Sequence, residues 1–233
     1  MAQTVADVTA CQVLRYACFQ GGVGQDIDMF DPLSEHVMIE RDGQLICTLR
    51  LRVMPDGADL GQTYTGQFYD IGPITGPTLE VGRFCLRDDP FSYDVLRWAW
   101  VAITRSVDEH AIKHVFGCAS FPGTDPARYA KGFAHLQDTY VGTLKVTPKA
   151  IDYKSLFDVR CPDTAALCGL DQIPPLLRSY LQMGGYVSDC PVIDRTLGTL
   201  HVFAGLQIDA IPPARVKTLR RLVAQTVGLH IPA

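Results

Sequence analysis

Two periodicities run along this chain, and the places where one gives way to the other mark the elements. Over residues 8–20 apolar positions recur at helical spacing, with Val13, Leu14 and Ala17 placed to face inward, Tyr16 and Phe19 beside them and Arg15 nearby. Gly21, Gly22 and Gly24 end that helix. Two alternating runs, 36–40 and 45–53, follow on either side of Arg41-Asp-Gly-Gln44. An Asp-Gly pair between alternating runs predicts a hairpin. Residues 55–77 are rich in Gly, Asp and Pro and predict a loop that covers part of a site. A short buried strand is predicted over 79–86. Asp89, Pro90 and Ser92 then signal a long helix over 93–109. Residues 115–119 predict a second buried strand, and Asp125-Pro126 opens a helix through about residue 137. Residues 141–146 are strand-like, and 147–172 read as a loop or insertion. Pro174 and Pro175 start a helix that Gly184-Gly185 stops. Strand character returns at Tyr186-Val187 and over 199–206, and the tail over 212–233 forms a short helix. This order predicts a single α/β domain over 1–233, with a mixed central sheet flanked by helices.

The strand over 79–86 carries two charges, Glu80 and Arg83, with Gly82 between them. On a strict pleat residues three apart face opposite sides. A bulge at Gly82 brings both onto one side, which makes them either a structural ion pair or the centre of a site. Arg50 lies inside the second hairpin strand, flanked by Leu49 and Leu51. Asp26, Asp28 and Asp31 form an acidic stretch that is either a solvated loop or an anionic cup for a cationic small molecule.

Composition narrows the chemistry. A formal net charge of -4 gives no bulk attraction to nucleic acid. No apolar run reaches the length of a membrane span, and residues 1–9 lack the pattern of a secretory signal. The eight cysteines are irregularly spaced with no Cys-x-x-Cys pair, which points to a reducing cytoplasm and no disulfide framework. Ser120 lacks the flanking glycines of a nucleophile elbow, and His110 to His114 lack the Glu of a zincin. No metal site is expected. The glycines at 21–24 follow a helix rather than a strand, which argues against dinucleotide binding. Cys118 and His114 share a strand face, either as nucleophile and base or as buried structural residues.

Several stretches together resemble the ornithine N-acyltransferases of bacterial ornithine-lipid synthesis. They are Leu79-Glu-Val-Gly-Arg-Phe-Cys85, Phe116-Gly-Cys-Ala-Ser-Phe-Pro-Gly-Thr-Asp-Pro126, Asp26-Ile-Asp-Met-Phe-Asp31 with His36, Thr48-Leu-Arg50, and Pro174-Pro-Leu-Leu-Arg-Ser-Tyr-Leu181 with Val192-Ile-Asp-Arg195. The acidic motif and Glu-x-x-Arg are shared with acyl-homoserine lactone synthases, and Phe84 looks more like that group. Cys47 stands where a glycine commonly precedes Thr-x-Arg. The resemblance implies a GNAT fold in which strands 79–86 and 114–119 splay apart, and the phosphopantetheine arm of an acyl carrier protein bonds one open strand edge. That arm belongs to the donor, so no separate cofactor is implied. Arg87-Asp-Asp-Pro-Phe-Ser-Tyr93 stands where acetyl-CoA enzymes have a glycine-rich phosphate loop, which favours a carrier protein as donor.

The implied reaction moves a 3-hydroxy fatty acyl group to the α-amino group of L-ornithine, giving lyso-ornithine lipid. The alternative acceptors are another amine such as glutamine, or S-adenosylmethionine in lactone synthesis. Glu80 is the expected general base. Asp26, Asp28 and Asp31 are expected to hold an ammonium, and Arg50 and Arg83 a carboxylate. Phe84, Cys85, Leu86, Phe116, Cys118, Ser120 and Phe121 are expected around the acyl and pantetheine groups. Arg97, Arg105, Lys113 and the Arg215–Arg221 group form a candidate docking face for an acidic carrier protein, with peripheral contact of the tail at the inner membrane.

Overall fold

A computed structural model describes residues 1–87, 92–142, 146–149 and 169–226. Its centre is a seven-stranded sheet in the order β1-β2-β4-β5-β9-β7, with β8 also paired to β9. The strands are β1 (Glu35–Arg41), β2 (Gln44–Met54), β4 (Thr78–Leu86), β5 (His114–Pro122), β7 (Tyr186–Val187), β8 (Val192–Asp194) and β9 (Thr199–Gln207). A small second sheet pairs β3 (Tyr69–Ile71) with β6 (Val146–Pro148). All pairings in the large sheet are antiparallel except β4 with β5. The mixed α/β architecture expected from the sequence is therefore present.

The hairpin forms for the expected reason. Asp42 and Gly43 both take positive φ, 52° and 74°, so the two-residue turn matches the twist of its strands. Alternation along the strands then divides the core. Leu49 and Leu51 of β2, Leu79 and Val81 of β4, and Val202 and Ala204 of β9 pack on one side with Ala99 and Ile103 of α3 (Ser92–Glu109), Phe133 of α4 (Ala130–Tyr140) and Tyr180 of α5 (Pro175–Gln182). Full burial of each such aliphatic side chain stabilises by about 1.5–3 kcal/mol. The intervening residues face the other side. There Phe116 and Phe203 stack with ring centroids 6.2 Å apart, and with Tyr69 they form a smaller core. That side also carries α1 (Val5–Phe19) and α2 (Tyr64–Phe68).

Three expectations change. First, α1 buries Cys11, Gln12, Leu14 and Arg15 and leaves Val13 and Ala17 exposed, so the helix is rotated from the orientation read from its apolar positions. The partners of Arg15 dictate this rotation. Second, the 55–77 segment is not all loop: Thr63 caps the short α2, and β3 follows. Third, the bulge falls one residue late. Thr48 pairs Cys85 while Arg50 pairs Gly82, so β4 holds one extra residue in this interval. Arg83, not Gly82, takes the positive φ of 52°. A left-handed non-glycine residue costs about 1–3 kcal/mol and persists only where its surroundings hold it there. The helix-start signals Asp89 and Pro90 and most of the expected insertion, 150–168, lie outside the described residues. The expected tail helix is α6 (Pro213–Thr226).

Candidate active site

The parallel β4–β5 pair sets the site. Its register runs Thr78↔His114, Leu79↔Val115 and Glu80↔Phe116, and there it stops, although both strands continue for several residues. Gly117 marks the parting point, since a Cβ on it would lie 2.1 Å from the Val81 carbonyl oxygen. Only glycine fits so close an approach. Beyond it the inner edges of the two strands are not paired to one another, and a cavity of about 110 Å³ opens between them. Gly82, Arg83 and Phe84 line one wall, Cys118 and Ser120 the other, and Phe19 and Tyr180 also border it. Phe19, Phe84, Ser120 and Pro174 also border a larger space of about 550 Å³ that reaches Cys85, Leu86 and Phe121. Its size is in the range of small-molecule sites.

The candidate lining residues therefore divide. Phe84, Cys118 and Ser120 border the first space, and Cys85, Leu86 and Phe121 the second. Phe121 also packs on Tyr129 and Phe133 as core. Phe116 borders neither space: the pleat turns it into the small core against Phe203. Burial pushes the Cys118 thiol well above its ordinary range, and its sulfur lies 3.7 Å from Thr65 Oγ1 rather than on a histidine. This is a poor setting for a nucleophile.

The bulge does bring Glu80 and Arg83 to a common neighbour, Tyr64. Glu80, 4% exposed, accepts the Thr65 backbone N–H at 2.7 Å and that of Tyr64 at 3.4 Å, so it anchors the first turn of α2 from across the sheet. The Arg83 guanidinium lies 4.4 Å from the centre of the Tyr64 ring. The Tyr64 hydroxyl donates to Asp194, whose other oxygen accepts the backbone N–H groups of Thr196 and Leu197. Behind this group, His201 is buried between Phe68 and Tyr69. Burial lowers its pKa to about 4, while Asp194 pulls weakly the other way.

The acidic stretch and the arginines meet in a closed ring. Arg15 reaches Asp26 at 3.0 Å and Asp31 at 2.8 Å. Arg83 reaches Asp26 at 2.8 Å and Asp28 at 2.9 Å. Arg50 closes the circle to Asp28 at 2.5 Å and Asp31 at 2.8 Å. Every carboxylate faces two guanidiniums and every guanidinium two carboxylates. Gln12 adds a hydrogen bond to Asp31 at 2.9 Å. Burial alone would raise the Asp31 pKa, but Arg15, Gln12 and Arg50 override it and hold the carboxyl well below the usual range. For Arg83, burial is outweighed by Tyr64, Asp26 and Asp28, which keep the guanidinium charged.

The three aspartates, expected as an ammonium cup, are in this structure paired with arginines of their own chain. Three positive and three negative charges balance, so the ring has no surplus negative charge to offer a cation. Likewise, Arg50 and Arg83 already hold carboxylates of their own chain, although Arg83 also lines the cavity. The residue that sequence reasoning passed over is Arg15. A lone arginine among inward helix positions was its signal, because a buried charge requires a partner. Tyr64 had no comparable signal, because its partner Asp194 lies 130 residues away. The expected basic docking face is also partly neutralised: Arg97 pairs with Asp94, Lys113 with Asp209 and Arg220 with Asp108.

The chain is similar to known proteins over most of its length. The acetyltransferase (GNAT) domain family matches residues 14–101. The L-ornithine N(alpha)-acyltransferase of Rhodobacter capsulatus is 28% identical over 91% of this chain and 90% of its own length. The protein of the same name from Brucella abortus is 27% identical over 91% of this chain and 84% of its own. Among solved structures, apo TofI aligns over 91% of this chain and 94% of its own at 13% identity and a TM-score of 0.48. Residues 14–101 thus resemble the acetyltransferase (GNAT) domain family, and over 91% of its length the chain is similar to proteins named L-ornithine N(alpha)-acyltransferase.

Proposed function

We propose that this chain transfers a fatty acyl group, carried as a 3-hydroxyacyl thioester on acyl carrier protein, to the α-amino group of L-ornithine. The observation that supports this reading most directly is the gap between β4 and β5, in a chain whose relatives across nearly its whole length are named L-ornithine N(alpha)-acyltransferase, a name that specifies the acceptor and not the donor. In this reading the pantetheine arm enters the gap as an added strand and the acyl chain occupies the larger space beyond Phe84. Unpaired backbone N–H groups at the open edge stabilise the oxyanion as the amine attacks the thioester carbonyl.

An amine at neutral pH is mostly ammonium and must lose a proton before attack. Glu80 is assigned that proton. Its Oε1 is committed to Thr65, but the 3.4 Å contact of Oε2 with Tyr64 is long and leaves lone-pair capacity for a substrate ammonium or a bridging water. The charged ring serves to hold Arg83 and the 20–31 loop in place, and leaves ornithine's carboxylate to the remaining face of Arg83. As the tetrahedral intermediate collapses, its nitrogen gives up the second proton to the departing sulfur, so the amide forms as the pantetheine thiol leaves, and no covalent enzyme intermediate is needed.

Purified protein given 3-hydroxyacyl carrier protein and ornithine tests this. The expected product by mass spectrometry is N-(3-hydroxyacyl)ornithine. Acylation of a different amine would keep the chemistry and overturn the acceptor. Transfer from acyl-CoA but not from the carrier protein would overturn the donor.

A further inference from the structure

The outer surface of the first 34 residues has an unusual composition. Of the nine large apolar side chains left exposed among the described residues, seven lie within positions 1–33. Two are on α1, Val5 at 85% and Val13 at 43% exposed, and four are on the following loop, Val23 at 98%, Ile27 at 63%, Met29 at 71% and Leu33 at 58%. Scattered exposed aliphatics are ordinary, but such concentration on one segment is not. The loop generates it by alternation. Asp26 and Asp28 turn inward to the ring while Ile27 and Met29 turn outward. Arg15, Asp26, Asp28 and Asp31 are all consumed by the ring, and Asp7 caps α1 through the Gln3 and Thr4 N–H groups. From Val8 to Ser34 no exposed position carries a charged residue.

We infer that the outer face of α1 and the 20–33 loop is a lipid-facing surface that seats the protein on the headgroup–acyl boundary of a membrane. A segment that carries no exposed charge of its own, with Arg87 only at its edge by Cys18, is a poor match for an acidic carrier protein, which needs cations opposite it. It suits the interface of a bilayer, where aliphatic tips insert without desolvating ions. Its position supports the assignment. Cys18 and Phe19, at the end of α1, border the larger cavity, so the loop begins at the margin of the space assigned to the acyl chain. The choice of lipid as partner rests on the proposed acyl chemistry, whose product is sparingly soluble in water.

The test is cosedimentation of the full chain with phosphatidylcholine vesicles, with and without phosphatidylglycerol, at low and high salt. The wild type is expected to pellet with the uncharged vesicles, with little dependence on salt. A variant with Val23→Ser, Ile27→Ser, Met29→Ser and Leu33→Ser changes only exposed side chains and is expected to lower the partition coefficient about tenfold or more. Circular dichroism checks its fold, and its transfer to ornithine from a soluble short-chain donor should be unchanged. Three results would overturn the inference. The wild type could remain in the supernatant with every vesicle. Binding could require phosphatidylglycerol and vanish in salt, which would assign it to the basic side chains of α6. Sedimentation velocity could reveal a dimer that the four-serine variant dissolves, which would assign the face to a second copy of the chain. Vesicle binding by a protein that transfers no acyl group would sink the functional reading and leave the surface in place.

Discussion

Arg15 is the sharpest place to test the charged ring. Replacement by Met preserves length and apolar stem and removes only the guanidinium. Asp26 then loses its 3.0 Å partner and Asp31 its 2.8 Å partner, and the ring is left with three carboxylates and two guanidiniums. Arg15 is 1% exposed and Asp31 6%, so water cannot take over. Removing one member of a buried pair costs about 3–5 kcal/mol. That is a large share of the roughly 5–15 kcal/mol that stabilises a typical domain. Asp31→Asn alone leaves the opposite imbalance and is expected to cost a similar amount. The double variant restores two charges of each sign, so its cost should fall below the sum of the singles by about 2 kcal/mol. Urea unfolding followed by tryptophan fluorescence measures all three. There is also a pH signature. A carboxyl whose pKa is depressed on folding contributes stability above its unfolded value of about 4, and loses it as pH falls toward the folded value. The acid limb of the stability curve should therefore be shallower in Asp31→Asn. Single variants that each cost less than about 1 kcal/mol, or a double that is simply additive, would show that the ring is not an energetic unit.

Three further outcomes are expected. Glu80→Gln keeps an acceptor for the Thr65 N–H but loses the charge, so the fold should persist while acyl transfer falls by about 10²–10⁴-fold; an unchanged rate would remove Glu80 from the chemistry. His201 has its pKa lowered to about 4 on folding, so between there and its unfolded value of about 6.5 the unfolded state binds more protons. Stability should climb through that window by up to about 3 kcal/mol and be complete above it, and His201→Gln should flatten the climb in urea midpoints measured from pH 4 to 7.5. A hydrogen bond from Cys85 lowers the pKa of exposed Cys18 to about 7, whereas burial pushes Cys47 up to about 12. Iodoacetamide at pH 7 should therefore label Cys18 well ahead of Cys11, Cys47 and Cys85, and equal labelling in a peptide map would contradict that environment.

How far the sequence could be read depended on how far apart the cooperating residues lie. The β1–β2 hairpin was legible because its turn chemistry and alternation sit within one short stretch, and the long α3 because its period repeats several times. The strand over 79–86 was legible in place but not in detail. Its glycine drew the bulge to Gly82, whereas the left-handed residue is Arg83, held there by Asp26 and Asp28 from more than fifty residues away. The same distance explains α1. Local apolarity puts Val13 and Ala17 inside, but the demand of Arg15 for carboxylates turns the helix and leaves them outside. The α2 helix was invisible because five residues carry little periodicity and its anchor, Glu80, comes from another strand. At the site, the charged candidates could be named from the sequence but their pairing could not: in the structure the acidic and basic residues hold one another.

That mutual satisfaction ties the site to the surface. A buried ion network adds little net stability over a well-packed apolar equivalent, because desolvation offsets most of its attraction. What a closed ring does supply is a single arrangement. Displacing any one aspartate leaves two guanidiniums underpaired, so α1, the 20–31 loop, β2 and β4 are fixed relative to one another by six contacts at once. Two consequences follow from the same alternation. The inward aspartates hold Arg83 at the mouth of the β4–β5 gap despite its unfavourable φ, and the outward Ile27 and Met29 are held in the open where no apolar loop would otherwise stay. A loop this apolar, if free to move, would collapse onto hydrophobic surface, and the cavity bordered by Phe19 lies where the loop begins. The ring prevents that collapse. On this argument Arg15→Met should do more than destabilise: by freeing the loop it should also impair acyl transfer under conditions where the variant is fully folded. A variant that is weakened but transfers at the wild-type rate would separate the ring from the site.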